Sequence, residues 1–554
     1  MLPFNLGVGG ASGAYTGDIP ASLRFRSGAG AYLSRTFGTP TAQNTWTLSF
    51  WVKQAGSIST AAAGGVFMRK VDTQNFESIA FDPNAGSDTN KLGSFTRTTS
   101  GTNNRRASSD AVYRDPTAWH NVVVAKSVSQ SSSAPTFYVN GVSISVPTRS
   151  SAGTPQDFIN SAAAHIIGQD AQSTTTSDFY LARICFVDGT ALTPSSFGYL
   201  NTEINEWVTK TAAQVKAVVD AGGTNSFMLD FDDPNFATYN VGKDYSSKGN
   251  HWTPNNFSLT AGTSYDWMLD VPGNSFATLN PLHQRGSNTF SAANLNCVIA
   301  AVADNTVTEP QAITSGKWYW EVTPTSMTGA AMAVGIVKTT IAAASMSVFA
   351  SGGVGYYGFN GDKYINGSAT AYGSTYANND VIGVAIDYDS NSVTFYKNNV
   401  SQGAITIDSG VSWYPAVSTG TGSGTHTFSI NFGQAPLHAS ATYDSASGGY
   451  FRYAPPSGYK ALCQRNMPDG ESITTSGSFT GTLAADGPYV DIKGVPTAMT
   501  INGNAVTFGT HADKTSSGFK LRTASSSYNN TGSNTYSVSS TGPKRKYSLA
   551  QGNP

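Results

Sequence analysis

The stretch from Asp380 to Asn399, DVIGVAIDYDSNSVTFYKNN, restricts the fold of this chain more than any other. Apolar residues stand at every second position in each half: Ile382, Val384 and Ile386 first, then Val393 and Phe395. A period of two places such side chains on one face of a β-strand. The residues between the halves, Asp389 to Asn391, favour a turn, and so does the closing Asn398-Asn399 pair. The stretch therefore predicts a β-hairpin.

Composition extends this prediction to the whole chain. Its 554 residues exceed what one hydrophobic core usually organises, so we expect several domains. Charged residues make up only 12% of the chain, while 57 glycines are present, which is typical of many short strands joined by polar turns. A net charge of −1 gives no broad basic field, so neither nucleic acid nor an anionic membrane is an expected partner.

The three cysteines, Cys185, Cys297 and Cys463, are far apart and odd in number. This spacing excludes a dense disulfide framework and any Cys-x-x-Cys metal pair. Cys185 stands in an apolar strand pattern and is expected to be a small buried hydrophobe. The N-terminus has neither the basic start nor the apolar run of a signal peptide, and no stretch is long enough to span a bilayer. We therefore expect synthesis and folding in a cytoplasm.

Five segments in the first part of the chain carry strand patterns. They are WTLSFWVK at 46–53, AWHNVVVAK at 118–126, FYVNG at 137–141, IIGQDA at 166–171 and FYLARICFVDGTALTP at 179–194. The first predicts a half-buried strand, and Asn140-Gly141 predicts a hairpin turn. In content and order the five segments resemble the laminin-G-like, concanavalin-type jelly-roll domain over residues 21–226. Within that range, Thr209 to Asp220 predicts one helix, which Gly222-Gly223 ends.

A second set of motifs spans residues 316–437. They are GKWYWEV at 316–322, GVAIDYD at 383–389, FYKNN at 395–399, YPAV at 414–417 and NFG at 431–433. In this order they resemble the SPRY domain. The resemblance implies a β-sandwich whose family role is binding and to which no reaction belongs.

Four further segments complete the organisation. Residues 1–20 predict an N-terminal arm or attachment segment, with a disordered tail as the alternative. Residues 227–315 predict a β-rich connector, 438–470 a Pro-containing linker, and 471–554 a small C-terminal β module. That last module is small enough that we expect it to associate with copies of itself. The predicted fold class is all-β and multidomain, with two β-sandwiches and the small C-terminal module.

Concanavalin-like folds include glycoside hydrolases, which need two carboxylates about 5 Å apart when they retain configuration. The glutamates of this chain are Glu77, Glu203, Glu206, Glu309, Glu321 and Glu471. None of them forms the Glu-x-Asp-x-x-Glu motif of the jelly-roll hydrolases. We therefore predict no enzyme activity, and polysaccharide cleavage by an aspartate pair stays as an alternative.

Acidic runs raise the question of calcium. Asp230, Asp232 and Asp233 offer carboxylates, but the glycine and the distal Glu of an EF-hand loop are missing, so a turn capped by its own Asp is favoured. The Asp-x-Asp-x-Asn at 387–391 is explained by the hairpin turn. The seven histidines contain no His-x-x-x-His pair. No metal and no cofactor are predicted.

Tyrosines cluster in a Gly-, Ser- and Asn-rich part of the SPRY-like segment: Tyr356, Tyr357, Tyr364, Tyr372 and Tyr376. In binding loops such a mixture gives rigid stacking surfaces with adaptable hydrogen bonds, and sugar rings stack on aromatic side chains. These five are the candidate binding residues. Strand alternation offers the other interpretation, in which about half of them belong to the sandwich core.

The order of the modules resembles that of a bacteriophage tail fibre or receptor-binding protein. The resemblance implies a virion protein, made in the host cytoplasm, that binds a host surface glycan or outer-membrane receptor during adsorption. It also implies a homotrimer, attachment to other virion proteins through the N-terminal arm, and no membrane insertion. The alternatives are another virion structural role, such as a capsid-attached fibre, and a polysaccharide depolymerase.

Overall fold

The computed structural model describes most of the chain. The described residues are 19–55, 64–73, 75–81, 90–98, 103–127, 134–153, 158–169, 178–201, 206–235, 238–262, 264–299, 306–308, 312–327, 332–420, 424–467, 472–485, 488–491, 495–508, 510–514 and 518–541. The predicted N-terminal arm lies outside them except for residues 19 and 20. Two compact units emerge: a larger one with Asp18–Phe197 and Lys210–Asn466, and a smaller one with Gly198–Thr209 and Met467–Lys546.

The described elements are nearly all strands. Up to residue 268 they are β1 (Ser22–Phe25), β2 (Tyr32–Thr36), β3 (Trp46–Gln54), β4 (Gly64–Lys70), β5 (Phe76–Phe81), β6 (Leu92–Thr98), β7 (Asn103–Ser108), β8 (Trp119–Lys126), β9 (Thr136–Val139), β10 (Val142–Ile144), β11 (Thr148–Ala152), β12 (Ala164–Ile167), β13 (Phe179–Asp188), β14 (Gly198–Asn201), β15 (Glu206–Thr209), α1 (Ala212–Asp220), β16 (Phe227–Leu229), β17 (Thr253–Asn255) and β18 (Trp267–Met268). From there to residue 461 they are β19 (Gln284–Arg285), β20 (Asn288–Ser291), β21 (Asn296–Ile299), β22 (Thr306–Thr308), β23 (Lys317–Ser326), β24 (Met332–Lys338), β25 (Gly353–Tyr357), β26 (Asp362–Ile365), β27 (Ser368–Ala371), β28 (Ile382–Asp387), β29 (Ser392–Lys397), β30 (Val400–Thr406), β31 (Trp413–Thr419), β32 (His426–Asn431), β33 (Thr442–Asp444), β34 (Gly449–Phe451) and β35 (Lys460–Ala461). The remainder are β36 (Ser472–Thr480), β37 (Tyr489–Asp491), β38 (Val495–Ile501), β39 (Asn504–Ala505), β40 (Ala512–Lys514), β41 (Gly518–Leu521), α2 (Ser526–Asn529) and β42 (Ser533–Thr541). Neither helix is long and apolar enough to cross a membrane.

The first sandwich of the larger unit consists of two antiparallel sheets. Their strand orders are β10-β9-β8-β3-β13-β1-β18, with β16 also paired to β13, and β11-β7-β6-β5-β4-β12-β2-β17. One continuous apolar core lies between the sheets and takes Trp46 and Phe50 from the first and Phe67 and Ile79 from the second. The Asn140-Gly141 turn has positive φ at both residues, as the predicted hairpin requires.

Strand β3 differs from its prediction. It was expected to be half-buried, but Trp46 to Lys53 are buried on both faces because β3 lies between β8 and β13 and its second face is also covered. Its polar side chains are therefore hydrogen-bonded: the Thr47 hydroxyl donates to the carbonyl of Thr190, 2.8 Å away.

Helix α1 begins later than predicted. Thr211 is its N-cap and forms a capping box with Gln214, so the helix starts at Ala212, whereas Thr209 ends strand β15. The predicted end at Asp220 is confirmed.

His165 lies in the core of the first sandwich, stacked on Phe37 with ring centroids 3.8 Å apart. Its Nδ1 lies 2.9 Å from the carbonyl of Ala163, and Nε2 accepts from the backbone N–H of Asn160 at 3.3 Å. Only the neutral ring makes both bonds, with Nδ1 as donor and Nε2 as acceptor. Burial accordingly lowers the pKa of His165 to about 3.

Because of His165, we expect the folded protein to lose stability in acid. Because its pKa is lower in the folded state than in the unfolded state, stability is full above about pH 6.5 and is lost as the pH falls towards 3. Between pH 7 and 4.5, His165 should lower the free energy of unfolding by about 2–3 kcal/mol. His165→Gln keeps one donor and one acceptor and should unfold with a shallower pH dependence over that window in urea titrations. Parallel pH profiles for the two proteins would contradict this role.

The connector between the two sandwiches is held to the first one by buried ion pairs. Asp266 pairs with Arg24 and Arg26, at 3.2 and 2.6 Å, and Asp270 pairs with Lys53 at 2.7 Å. The side chains of Lys53 and Asp270 are fully buried. These contacts join this part of the connector to the first sandwich within the larger unit.

The second sandwich has two sheets of order β19-β22-β31-β24-β25-β26-β27 and β20-β21-β32-β23-β28-β29-β30, with β35 also paired to β23. The predicted hairpin is β28 and β29, paired from Ile382↔Lys397 to Asp387↔Ser392. Asn391, Asn398 and Asn399 all have positive φ, which asparagine tolerates in tight turns. The predicted hairpin and the residues of its turns are thus confirmed.

The smaller unit contains the β14–β15 hairpin and the C-terminal strands. The latter form two sheets, of order β36-β42-β38-β39 and β37-β41-β40. The core between them is small; its buried members are Met499, Ile501, Ala512, Phe519, Leu521 and Val538. Asn502-Gly503 has positive φ at both residues and joins β38 to β39.

Candidate functional site

The five candidate tyrosines do not share one surface. Tyr356 and Tyr376 are buried, whereas Tyr357, Tyr364 and Tyr372 are half-buried. Neighbours on a strand point to opposite faces, so Tyr356 points into the sandwich and Tyr357 away from it. Sequence alone named the cluster but could not assign the faces.

The buried tyrosines are structural. The Tyr376 hydroxyl donates towards the carbonyls of Met332 and Tyr356, at 2.8 and 3.0 Å, and the Tyr356 hydroxyl donates to the carbonyl of Ser374. The Tyr356 ring faces Phe395 of the opposite sheet at 5.8 Å. Both tyrosines therefore pack the core and are withdrawn from a binding surface.

Tyr372 lies at the side of the sandwich and links its two sheets. Its hydroxyl donates to the carbonyl of Gly403, and its ring lies 6.3 Å from that of Phe395. Burial raises the pKa of Tyr372 to about 12, so the hydroxyl remains a donor at physiological pH. Its contacts also mark it as a structural residue.

Tyr357 and Tyr364 belong to a group of rings at the surface, three of them half-buried and one exposed, which we call the aromatic patch: Phe349, Tyr357, Phe359 and Tyr364. Phe349 meets Tyr357 and Tyr364 edge to face, with centroids 5.2 and 4.9 Å apart. Tyr357 lies 5.8 Å from Tyr364 and 6.1 Å from Phe359. Phe359 is 60% exposed. Four rings joined by these contacts at the surface form a pre-arranged platform.

Glycines allow this platform to form. Val348 lies on the outer face of the sheet, where a Cβ added to Gly335 or Gly355 would come within 2.3 and 2.8 Å of its Cγ1. Because these positions lack side chains, the segment before β25 lies flat on the sheet and brings Phe349 against Tyr357 and Tyr364.

The patch has a polar margin. Asn360 donates to the Asp362 carboxylate at 2.6 Å, and the Asn366 Oδ1 accepts from the backbone N–H of Gly352 at 2.9 Å. Flat apolar rings beside amide and carboxylate groups suit a ligand that has both C–H faces and hydroxyls. Sequence reasoning missed Phe349 and Phe359; the Gly-Phe-Asn-Gly run at 358–361 was the available signal for the second.

A second feature of the sandwich is Glu321, which is buried beside a shallow surface cleft that Val381, Asn431 and His438 also line. Its carboxylate accepts from the backbone N–H groups of Arg452 and Tyr453, at 2.9 and 3.0 Å, and lies 3.3 Å from the Tyr319 hydroxyl. Burial raises the pKa of Glu321 to about 7, although these donors favour the ionised form. Glu321 thus ties the segment after β34 to the centre of the sheet.

Because of Glu321, we expect the protein to lose stability as the pH rises from about 4.5 to 8. Because its pKa is higher in the folded than in the unfolded state, its contribution is complete below about pH 4.5 and is lost as the pH rises through 7. The loss is about 3 kcal/mol by pH 8. Glu321→Gln does not titrate, so urea titrations at pH 5, 6.5 and 8 should give it the flatter profile. If the free energy of unfolding changed equally with pH in both proteins, Glu321 would not change its protonation state over this range.

Two of the carboxylates considered for catalysis or calcium, Glu77 and Asp230, have structural partners. Glu77 accepts from the backbone N–H groups of Phe158 and Ile159, at 2.6 and 2.8 Å. Asp230 forms a two-point pair with Arg183, at 2.8 and 2.9 Å. Glu203, Glu309 and Glu471 lie outside the described residues.

Asp233 and Asp387 are also engaged in local structure. Asp233 accepts from the backbone N–H of Asn235, which is the self-capped turn favoured above. Asp387 pairs with Lys317 at 2.8 Å and accepts from Ser390 in the hairpin turn. Over the described ranges, no three His, Cys, Asp or Glu side chains are grouped so that they could hold a metal ion.

Comparisons with known proteins agree with the two sandwiches. The model of the concanavalin A-like lectin/glucanases superfamily matches residues 27–196, and the SPRY domain model matches residues 317–435. A search of curated proteins finds no match to the chain.

Three of the solved structures similar to this chain each match 28% of it. The SPRY domain of human HERC1 is 16% identical; the match covers 28% of this chain and 96% of that chain, with a TM-score of 0.25. The TRIM65 PSpry domain is 15% identical; the match covers 28% of this chain and 91% of that chain, with a TM-score of 0.23. Stonustoxin is 16% identical over 28% of this chain and 27% of its own, with a TM-score of 0.23. TM-scores this low add nothing to the assignment of the domains.

The strand patterns, the two packed pairs of sheets and the family models lead to one description. The chain contains a concanavalin A-like, laminin-G-like domain at residues 27–196 and a SPRY domain at residues 317–435.

Proposed function

We propose that this protein recognises a host-cell surface glycan as a phage virion fibre, and that its SPRY domain binds the glycan through the aromatic patch without chemical change. The observation that carries the proposal is the contact of four rings at the surface, with Phe359 60% exposed. A monomeric surface rarely leaves clustered aromatic rings uncovered unless they meet a partner.

The chemistry of the patch favours a sugar ring. The C–H face of a pyranose stacks on Tyr or Phe, and its hydroxyls pair with amide and carboxylate groups such as those of Asn360 and Asp362. Several copies on one fibre would convert weak single contacts into firm attachment. In this proposal the N-terminal arm joins the chain to other virion proteins, and the family role of both domains in binding supports recognition over catalysis.

The test uses the full-length protein, host cells and the virus. Purified protein should bind the cells and reduce virus adsorption in proportion to the sites it occupies. Cell binding without competition would favour another virion structural role, such as a capsid-attached fibre. Absence of cell binding would overturn the proposal.

A further inference from the structure

Strand β36 is a long edge strand with no charge. It pairs with β42 from Ser472↔Thr541 to Thr480↔Ser533, and among the described strands it has no neighbour on its other side. Its sequence, SITTSGSFT, contains neither a charged residue nor proline. Natural proteins usually shorten, charge or cover such edges, because unpaired backbone N–H and C=O groups bind another strand. β36 lacks the first two of these protections.

The sequence of β36 is complementary to itself. When two copies pair antiparallel about a two-fold axis through Ser476, this residue lies opposite its own copy. The other opposed pairs are Ser472 with Thr480, Ile473 with Phe479, Thr474 with Ser478, and Thr475 with Gly477. Directly opposed residues share one face of the sheet. Ser and Thr therefore meet only Ser and Thr on one face, and the apolar pair meets on the other.

Burial in the described half of the strand agrees with this division. Ser476, Ser478 and Thr480 are exposed, while Phe479 is half-buried. The Phe479 ring lies 6.2 Å from Phe519 at the margin of the small core.

We propose that two copies of this chain associate through β36, so that the sheet β39-β38-β42-β36 continues into its symmetry copy. A two-fold contact places each residue beside its own equivalent, so a charged edge would repel itself. The absence of charge along β36 therefore fits a second copy of the same strand. Pairing of this kind joins chains in twos, in contrast to the homotrimer expected from the resemblance to fibres.

Cross-linking tests the register directly. Opposed Cα atoms in an antiparallel pair lie about 4.5–5.5 Å apart, which is within the range of a disulfide. The native cysteines, Cys185, Cys297 and Cys463, are buried and free, so an introduced surface cysteine is the reactive one. Mild oxidation of full-length Ser476→Cys should give a covalent dimer in high yield. The control Ser526→Cys, exposed in α2 of the same module, should stay monomeric on a denaturing gel.

Charge variants test the same contact without cross-linking. Ser476→Lys and Ser476→Glu each place like charges opposite one another, so the dissociation constant of each should rise at least tenfold, and an equal mixture should recover the affinity of the native chain. Light scattering should give twice the chain mass of 58.0 kDa for the native protein and a concentration-dependent fall for each variant. Ser526→Lys should behave as the native chain.

Three results would overturn the proposal. They are a native mass of one chain, a native mass of three chains that Ser476→Lys leaves unchanged, and equal disulfide yields for Ser476→Cys and Ser526→Cys. Circular dichroism of each variant distinguishes lost association from lost folding, since Ser476 is exposed and its replacement leaves the module core intact.

Discussion

Replacing Lys53 by Met, or Asp270 by Leu, should lower the free energy of unfolding by about 3–5 kcal/mol in either case. Lys53 Nζ contacts the Asp270 carboxylate at 2.7 Å, the Phe276 carbonyl at 2.8 Å and the Ser275 hydroxyl at 3.3 Å, and is fully buried. Removing one partner leaves the other charge in a low-dielectric site with no ion of opposite sign. Urea titration of the full chain measures the loss.

The double variant Lys53→Met/Asp270→Leu separates the pair from its surroundings. With both charges absent, no unpaired ion is buried, so the loss should be smaller than the sum of the two single losses. Lys216→Met is the matched control, because Lys216 pairs with Asp220 on the exposed side of α1 and should cost less than about 1 kcal/mol. A loss below about 1 kcal/mol for Lys53→Met would contradict the structural role assigned to this pair.

Replacing both Phe359 and Tyr364 by Ala should weaken glycan binding by about 100-fold or more. Each ring offers stacking area, and truncating a central aromatic residue of a binding surface commonly costs about 2 kcal/mol. Phe359 is exposed and Tyr364 half-buried, so stability should change little by comparison. Calorimetric titration with isolated host polysaccharide measures the change in affinity.

Tyr199→Ala is the control for this pair of substitutions. Tyr199 is 49% exposed in β14, outside the SPRY domain, and its replacement removes an exposed aromatic ring that is not part of the aromatic patch. Binding equal to that of the native chain is expected. Equal losses for the control and the double variant would show that the aromatic patch has no special part in recognition.

Local signals in the sequence were sufficient to predict the hairpins. The β28–β29 turn and the Asn140-Gly141 turn depend on residues that tolerate positive φ, and both stand between alternating apolar residues. The two domain families could also be identified, since their motifs fall in order along the chain.

Contacts between distant residues could not be predicted. Lys53 and Asp270 are 217 positions apart, and no local pattern indicates that a lysine in a strand will be buried against a connector. The aromatic patch depends in the same way on the glycine-lined sheet under Val348, which exists only after the strands have paired. Alternation marked Tyr356 and Tyr357 as neighbours on opposite faces, but the face that is covered depends on the opposite sheet.

Glycan recognition without cleavage is tested most directly by one titration of isolated host surface polysaccharide, in which binding and newly formed reducing ends are assayed in the same sample. We expect saturable binding by the native chain, no increase in reducing ends over hours, and loss of binding in the Phe359→Ala/Tyr364→Ala variant. Release of reducing ends, or binding that this variant retains in full, would contradict recognition through the aromatic patch.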